Sequence, residues 1–259
     1  MKGILILAFL YSYTLSFVDT NYENVRPPGT VKIVDNFFFD EGEITNIDWK
    51  EYLNSLCEAY GKESSIYKEA KPHKDVWTKN GVNNKPFEET YFDHPSYDYY
   101  PVVGISHEQA RLFCIWRTER VKEMLKEYDV VHRDFEYRLP TQTEWELVAR
   151  AGHNKKQKKL LRKFEKKKNY EGALKICNMI FGQKSEVSMI APNRSYLPNK
   201  YGIYNLYGNV AEMVAEPNVA VGGSFLHNFE EIVPSNKKLA YDRPERWLGF
   251  RSVCEFKDK

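Results

Sequence analysis

Apolar positions along the chain fall into two kinds of pattern. Val31 to Phe39 (VKIVDNFFF) is dense in β-branched and aromatic residues and predicts a strand. From Asn46 the period changes. Trp49, Tyr52, Leu53, Leu56 and Tyr60 recur at helical spacing, Thr45-Asn46 offers the N-terminal cap and Gly61 the stop. Residues 62–100 show little periodicity but many aromatics, which predicts a packed irregular segment. Pro101 to Ile105 reads as a short strand. Ser106 and Gln109 then have the spacing of a capping box, opening a helix that puts Ala110, Phe113, Cys114, Val121, Met124 and Leu125 on one face. A second capping box, Thr141 with Glu144, opens a helix carrying Trp145 and Val148 and ending at Gly152. Beyond residue 175 the texture is of short apolar pieces between turns (Asn199 to Gly202, Gly208-Asn209, Gly222-Gly223), closing with a strand over 247–253. The pattern predicts an α+β domain of short strands and few helices.

Composition narrows this picture. The 259 residues are 42% hydrophobic and 15% aromatic, enough to build a sizeable core, and the mean hydropathy of −0.61 excludes a polytopic membrane protein. One apolar run, Gly3 to Tyr11, follows Met1-Lys2 and precedes small residues; it is too short to span a bilayer and reads as a signal peptide over 1–16, with the mature domain at 17–259. The protein is therefore expected to be exported, periplasmic or extracellular. The net charge of +2 conceals an asymmetry. Residues 155–168 hold nine Lys/Arg and one Glu, so the rest of the chain has 29 Lys+Arg against 35 Asp+Glu, a net of −6. This basic insertion at 154–170 reads as a solvated excursion or as a surface for an acidic partner; nucleic acid ranks last. Cys57, Cys114, Cys177 and Cys254 form no close pair, which argues against zinc, and no disulfide is assigned.

Several blocks, in order, resemble the formylglycine-generating enzyme, or sulfatase-modifying factor, family: FDEGEITNIDWKEYL (39–53), YPVVGISHEQARLFCIW (100–116), YRLPTQTEWELVARAG (137–152), NKYGIYNLYGNVAEM (199–213), GGSFLHN (222–228) and GFR (249–251). The resemblance implies a compact α+β fold related to C-type lectins. It also implies a structural calcium held by the side chains of Asn205 and Glu212 and the carbonyls of Gly208 and Val210, hard oxygen donors of the kind calcium takes. Asn205 and Asn209 equally suit turn positions, with Glu212 accepting from backbone N–H groups. A second calcium loop, near Asn178-Met179 and Ser185-Glu186-Val187, is expected to be absent or altered, since Ser185 stands where an acid belongs.

In the oxidase members of that family two cysteines bind copper. Here the corresponding residues are His227 and Ile232, and one imidazole cannot replace a two-thiolate site for Cu(I). Copper is therefore not expected, and no catalytic residue is assigned. The six histidines (His73, His94, His107, His132, His153, His227) form no iron-binding cluster. The phrases at 101–121, 39–53 and 91–101 resemble the non-oxidase branch of gliding-motility and type IX secretion envelope proteins, although those relatives are usually lipoproteins and no Cys precedes Cys57. The function implied is a non-catalytic binding or scaffold module with a protein or peptide partner, which the resemblance places among envelope secretion or motility components. The competing reading is an oxidoreductase of the same family with altered metal ligands.

Overall fold

The computed structural model describes residues 26–79, 83–128, 133–150, 155, 158, 159, 162, 175–181, 189–233 and 236–257. The expected leader lies outside the described residues. Most of the basic insertion does too; its described positions Lys155, Lys158, Lys159 and Arg162 are exposed.

Strand β1 (Thr30–Val34) turns directly into β2 (Phe37–Asp40), so the single strand expected over 31–39 is a hairpin. Asp35-Asn36 forms the two-residue connection. Asn36 takes φ +66°, the left-handed region that a tight hairpin requires and that Asn tolerates best after Gly. Helix α1 (Asn46–Tyr60) begins at a capping box of Thr45 and Asp48 and stops at Gly61. The aromatic segment that follows holds α2 (Ser65–Glu69), α3 (Lys85–Thr90) and two 3-10 turns, Lys74–Trp77 and Pro95–Tyr97. Residues 101–105 are not a strand. Only Pro101 makes a bridge, to Thr45, because the segment is pinned by isolated bonds such as Val102 N–H to the Ile44 carbonyl (2.9 Å) rather than by a ladder.

Helix α4 (His107–Glu127) starts at the expected Ser106–Gln109 capping box. Strand β3 (Phe135–Arg138) and helix α5 (Gln142–Arg150) follow, then β4 (Ala211–Met213), β5 (Val219–Val221), α6 (Phe229–Ile232), β6 (Leu239–Ala240), β7 (Leu248–Gly249) and β8 (Val253–Phe256). The terminal strand expected over 247–253 is thus two strands, in different sheets. One sheet runs β1-β2-β8-β3, all antiparallel. The other runs β6-β5-β4-β7, with β4 and β7 parallel.

The largest core cluster lies where α1 and α4 meet the sheets. Trp49 stacks on Phe113 (5.3 Å between centroids, 7° between planes) and Phe250 stands edge-on to both. Such aromatic pairs are worth about 0.5–1.5 kcal/mol each beyond the area they bury. Trp145 of α5 is fully buried in a second cluster with Phe39, Ile203, Leu206, Val221 and Val253. These two clusters hold the loop over 199–213 from both sides.

Candidate functional site

The loop that carries the expected calcium donors is shaped by asparagines in left-handed conformation: Asn205 at φ +54° and Asn209 at +65°. Asn199 starts the loop by accepting the N–H groups of Tyr201 (2.9 Å) and Ile203 (3.1 Å) on its Oδ1. Gly208 sits at φ +81°, and a Cβ there would fall 2.6 Å from the Asn178 carbonyl oxygen, so only glycine fits. Asn209 is fully occupied. Its Oδ1 accepts from Ala191 N–H (2.8 Å) and Asn178 Nδ2 (3.2 Å), while its Nδ2 donates to Glu43 Oε1 (2.9 Å) and the Ala191 carbonyl (3.1 Å). Asn205 is not. Its Nδ2 donates to Glu43 Oε2 (3.1 Å), but its buried Oδ1 has no partner.

Glu212, on β4, is fully buried against Arg251. The guanidinium donates through Nε to Oε2 (2.7 Å) and through Nη2 to Oε1 (2.6 Å), and Trp145 Nε1 donates to Oε2 (2.6 Å). Burial alone disfavours the Arg251 cation, but Glu212 reverses this and holds it protonated. Asp40 is paired in the same way with Arg117 and bonds Ser252 N–H and Oγ. Glu43 has no cationic partner of its own. Burial pushes its carboxyl up to about 7, against the pull of Arg251. Around the loop, three buried carboxyl groups (Asp40, Glu43, Glu212) face two guanidiniums (Arg117, Arg251), an excess of at most one negative charge, reached when Glu43 is ionised.

These residues offer the oxygen donors a hard cation takes, although both Glu212 oxygens already accept from Arg251 or Trp145. Asn205 Oδ1 lacks a partner and Glu212 Oε1 takes one donor where a carboxylate oxygen can take two. Gly208 and Val210 are in the same loop as Asn205, and the local charge excess is of the right sign. At the second expected loop, Asn178 is committed through Nδ2 to the Met189 carbonyl (2.8 Å) and to Asn209. Ser185, Glu186 and Val187 lie outside the described residues.

The second place of interest is the turn over 222–228. Gly222 (φ +83°) admits no side chain, because a Cβ would meet the Leu206 carbonyl oxygen at 2.5 Å. The turn aims Ser224 at His227: Oγ lies 2.7 Å from Nδ1, and Leu226 N–H also reaches Oγ (3.2 Å). The half-buried His227 ring stands edge-on to Trp247, at 5.2 Å and 79°. Burial pushes its pKa down. Ile232 is buried among Cys177, Met179, Phe181 and Phe229. All four cysteines are free thiols; Cys114, Cys177 and Cys254 are buried, and burial pushes the Cys114 and Cys254 thiols up to about 12. Among the described residues no three His, Cys, Asp or Glu side chains cluster as metal ligands. The described neighbours of the His227 ring are Ser224 and Trp247, without a thiolate, and that donor set does not fit Cu(I).

The model of the family described as sulfatase-modifying factor enzyme 1-like domain matches residues 6–256. The chain belongs to that family. A formylglycine-generating enzyme of Mus musculus is 24% identical over 243 residues, 85% of this chain and 59% of the relative. An inactive C-alpha-formylglycine-generating enzyme 2 of Bos taurus is 31% identical over 119 residues, 45% of this chain and 33% of the relative. The chain thus spans less than two thirds of either relative. Among solved structures, CarF superposes with a TM-score of 0.52 at 21% identity, covering 86% of this chain and 87% of that one. PvdO of Pseudomonas aeruginosa gives 0.53 at 17% identity, with 87% and 83% covered. Treponema denticola variable protein 1 gives 0.52 at 16%, with 90% and 93% covered. These likenesses establish the fold.

Within this sulfatase-modifying factor domain, the expected site residues do not form one simple cluster. Asn205 turns to Glu43 and Glu212 to Arg251, with Glu43 and Glu212 near enough to interact electrostatically. Sequence reasoning missed Glu43, Arg251 and Trp145 as their partners. Glu43 and Asn205 are 162 positions apart, and no local spacing joins them. The only available signal was that all three missed partners lie in the blocks that resemble the family. Among the described residues no helix is long and apolar enough to cross a membrane.

Proposed function

We propose that this chain is an exported, non-catalytic sulfatase-modifying factor domain that binds a protein or peptide partner in the bacterial envelope. The observation that carries the reading is the residue pair His227 and Ile232, an imidazole bonded to Ser224 and a buried aliphatic side chain, where the oxidases of the family use two thiolates. The bovine relative named inactive, 31% identical over its matched part, supports a role without oxidation. The sequence phrases at 39–53, 91–101 and 101–121 favour a setting in gliding-motility or type IX secretion machinery. Calcium belongs to the same proposal, with Asn205, Glu212 and the carbonyls of Gly208 and Val210 holding it. It would tie the loop to β4 by charge, with no chemical step of its own. The unpartnered Asn205 Oδ1 supports it.

The deciding experiment is metal analysis of the purified chain, with oxygen uptake in the presence of a cysteine-containing peptide. Neither copper nor iron at stoichiometric level, and no uptake, is expected. One tightly bound redox metal with peptide oxidation would instead establish the altered-ligand oxidoreductase. For calcium, EGTA should lower the Tm, and Glu212→Gln or Asn205→Gly should each remove that sensitivity. A Tm indifferent to EGTA would reduce Asn205 and Asn209 to turn residues.

A further inference from the structure

Phe225 and His227 on one segment meet Arg246 and Trp247 on another, forming a strip beside Ser224. The Arg246 guanidinium lies over the Phe225 ring, 5.6 Å from its centroid, and His227 meets Trp247 as described above. Phe225 is buried; His227, Arg246 and Trp247 are half-buried, so each keeps a face toward solvent.

The charges on this strip are unusual for the molecule. Arg117, Arg138 and Arg251 each have a carboxylate partner. Arg246 has none within 4 Å among the described residues, because its neighbour Glu245 is bonded to Arg243 (3.2 Å). Burial consequently pulls its pKa below the usual range, with only Glu245 opposing. Exposed Lys237 is a second cation near enough to act on His227, where Glu231 acts in the opposite sense. Ser224 Oγ, which accepts Leu226 N–H, also bonds His227 Nδ1 and so fixes the ring's orientation on that side. Taken together, a partly desolvated guanidinium without a carboxylate partner among the described residues stands beside a half-buried indole, the two joined through consecutive residues and the Phe225–His227 segment. A planar guanidinium in that condition is matched by a carboxylate, which it binds in bidentate fashion.

We propose that this strip binds an extended peptide carrying a carboxylate side chain next to an apolar one. Arg246 pairs with the carboxylate, and Trp247, with the His227 ring edge-on to it, packs the apolar side chain. This names the chemistry of the partner and rests on the peptide-binding reading above.

The test uses the full chain and fluorescently labelled pentapeptides Gly-X-Asp-Gly-Gly, with X being Phe, Leu or Tyr, each beside its Asn counterpart. Fluorescence anisotropy should show at least one Asp peptide binding tenfold or more tightly than its Asn partner, a difference of about 1.4 kcal/mol. Arg246→Gln should abolish that preference, whereas Arg243→Gln should retain it. Equal affinities across every pair, or a preference that survives Arg246→Gln, would overturn the proposal. So would displacement of the Asp peptide by millimolar inorganic phosphate, which would reduce the strip to a simple anion site. Oxidation of a thiol peptide with the Asp preference intact would overturn the non-catalytic reading and leave the strip standing. A metal-free, inactive chain without the preference would do the reverse.

Discussion

Arg251→Met is the perturbation that most directly probes how the loop over 199–213 is held. The guanidinium supplies two of the three donors on Glu212 and also bonds the carbonyls of Asp40 (3.2 Å) and Tyr204 (2.9 Å). Methionine fills similar space but donates nothing. It would leave Glu212 a fully buried carboxylate with Trp145 Nε1 as its one remaining side-chain donor, close to the Glu43 carboxyl. Breaking a buried ion pair by removing one partner costs about 3–5 kcal/mol, most of it the desolvation of the charge left behind. With a urea slope of about 3 kcal/mol/M, the midpoint should fall by about 1–2 M at an unchanged slope. The double variant Glu212→Gln/Arg251→Met removes the stranded charge while keeping a side-chain oxygen for Trp145. It should therefore lose at least about 2 kcal/mol less than the two single variants combined. All curves are to be measured in EGTA, so that calcium does not enter. A single variant costing under about 1 kcal/mol, or strict additivity, would refute the view that this pair anchors β4 to the rest of the domain.

Two further outcomes depend on different physics. Gly61 and Gly222 have nearly the same φ, +84° and +83°, but a Cβ at Gly61 meets nothing within 4 Å while one at Gly222 meets the Leu206 carbonyl oxygen at 2.5 Å. Gly61, at ψ 152°, lies in a region almost reserved for glycine, so its alanine variant carries backbone strain alone. At Gly222 overpacking of about 1–3 kcal/mol adds to the strain, so Gly222→Ala should cost at least about 2 kcal/mol in chemical denaturation; a loss under about 1 kcal/mol would refute the packing account. Burial raises the Glu144 carboxyl, but hydrogen bonds from Arg138 and Thr141 more than reverse this and hold it below its usual value. A depressed folded pKa contributes stability that is complete above the unfolded value of about 4.3 and is lost as pH falls through the folded one. The wild-type Tm should therefore drop more steeply below about pH 4.3 than that of Glu144→Gln, and parallel curves would remove Glu144 from the acid response.

What the sequence made legible follows the range of the interactions. Both capping boxes and the helix over 46–60 were readable because donor and acceptor lie three or four positions apart. The hairpin over 30–40 was also local, and Asp35-Asn36 is its turn signal, but an apolar run on both sides masked it as one long strand. Residues 101–105 failed for another reason. A strand-like composition there satisfies single bonds to Ile44 and Glu245, and no neighbouring ladder was available. The family blocks gave the α+β fold. They did not give the pairing of Glu43 with Asn205 and Asn209, nor the lack of a carboxylate at Arg246 among the described residues, because both depend on which distant residues arrive.

The family's motifs turn out to be architectural in this chain, which decides how much a motif match says about activity. Arg138 of the RLPT-EWE block donates to Glu144 of the same block and to Glu255 on β8. Its Trp145 bonds Glu212 of the GNVAEM block, which in turn holds Arg251 of GFR. Gly222 of the GGS block is required by the close approach of the Leu206 backbone and of Trp145. Each of these residues is needed to place another motif residue, so the series persists wherever the fold persists. Oxidation by two thiolates makes a separate demand, on the residues at 227 and 232. Neither His227 nor Ile232 bonds to Arg138, Glu144, Trp145, Glu212 or Arg251; His227 touches the series only through Ser224. A match to the family over nearly the full length therefore reports the fold, and the chemistry has to be read separately, from the residues of the 222–232 segment.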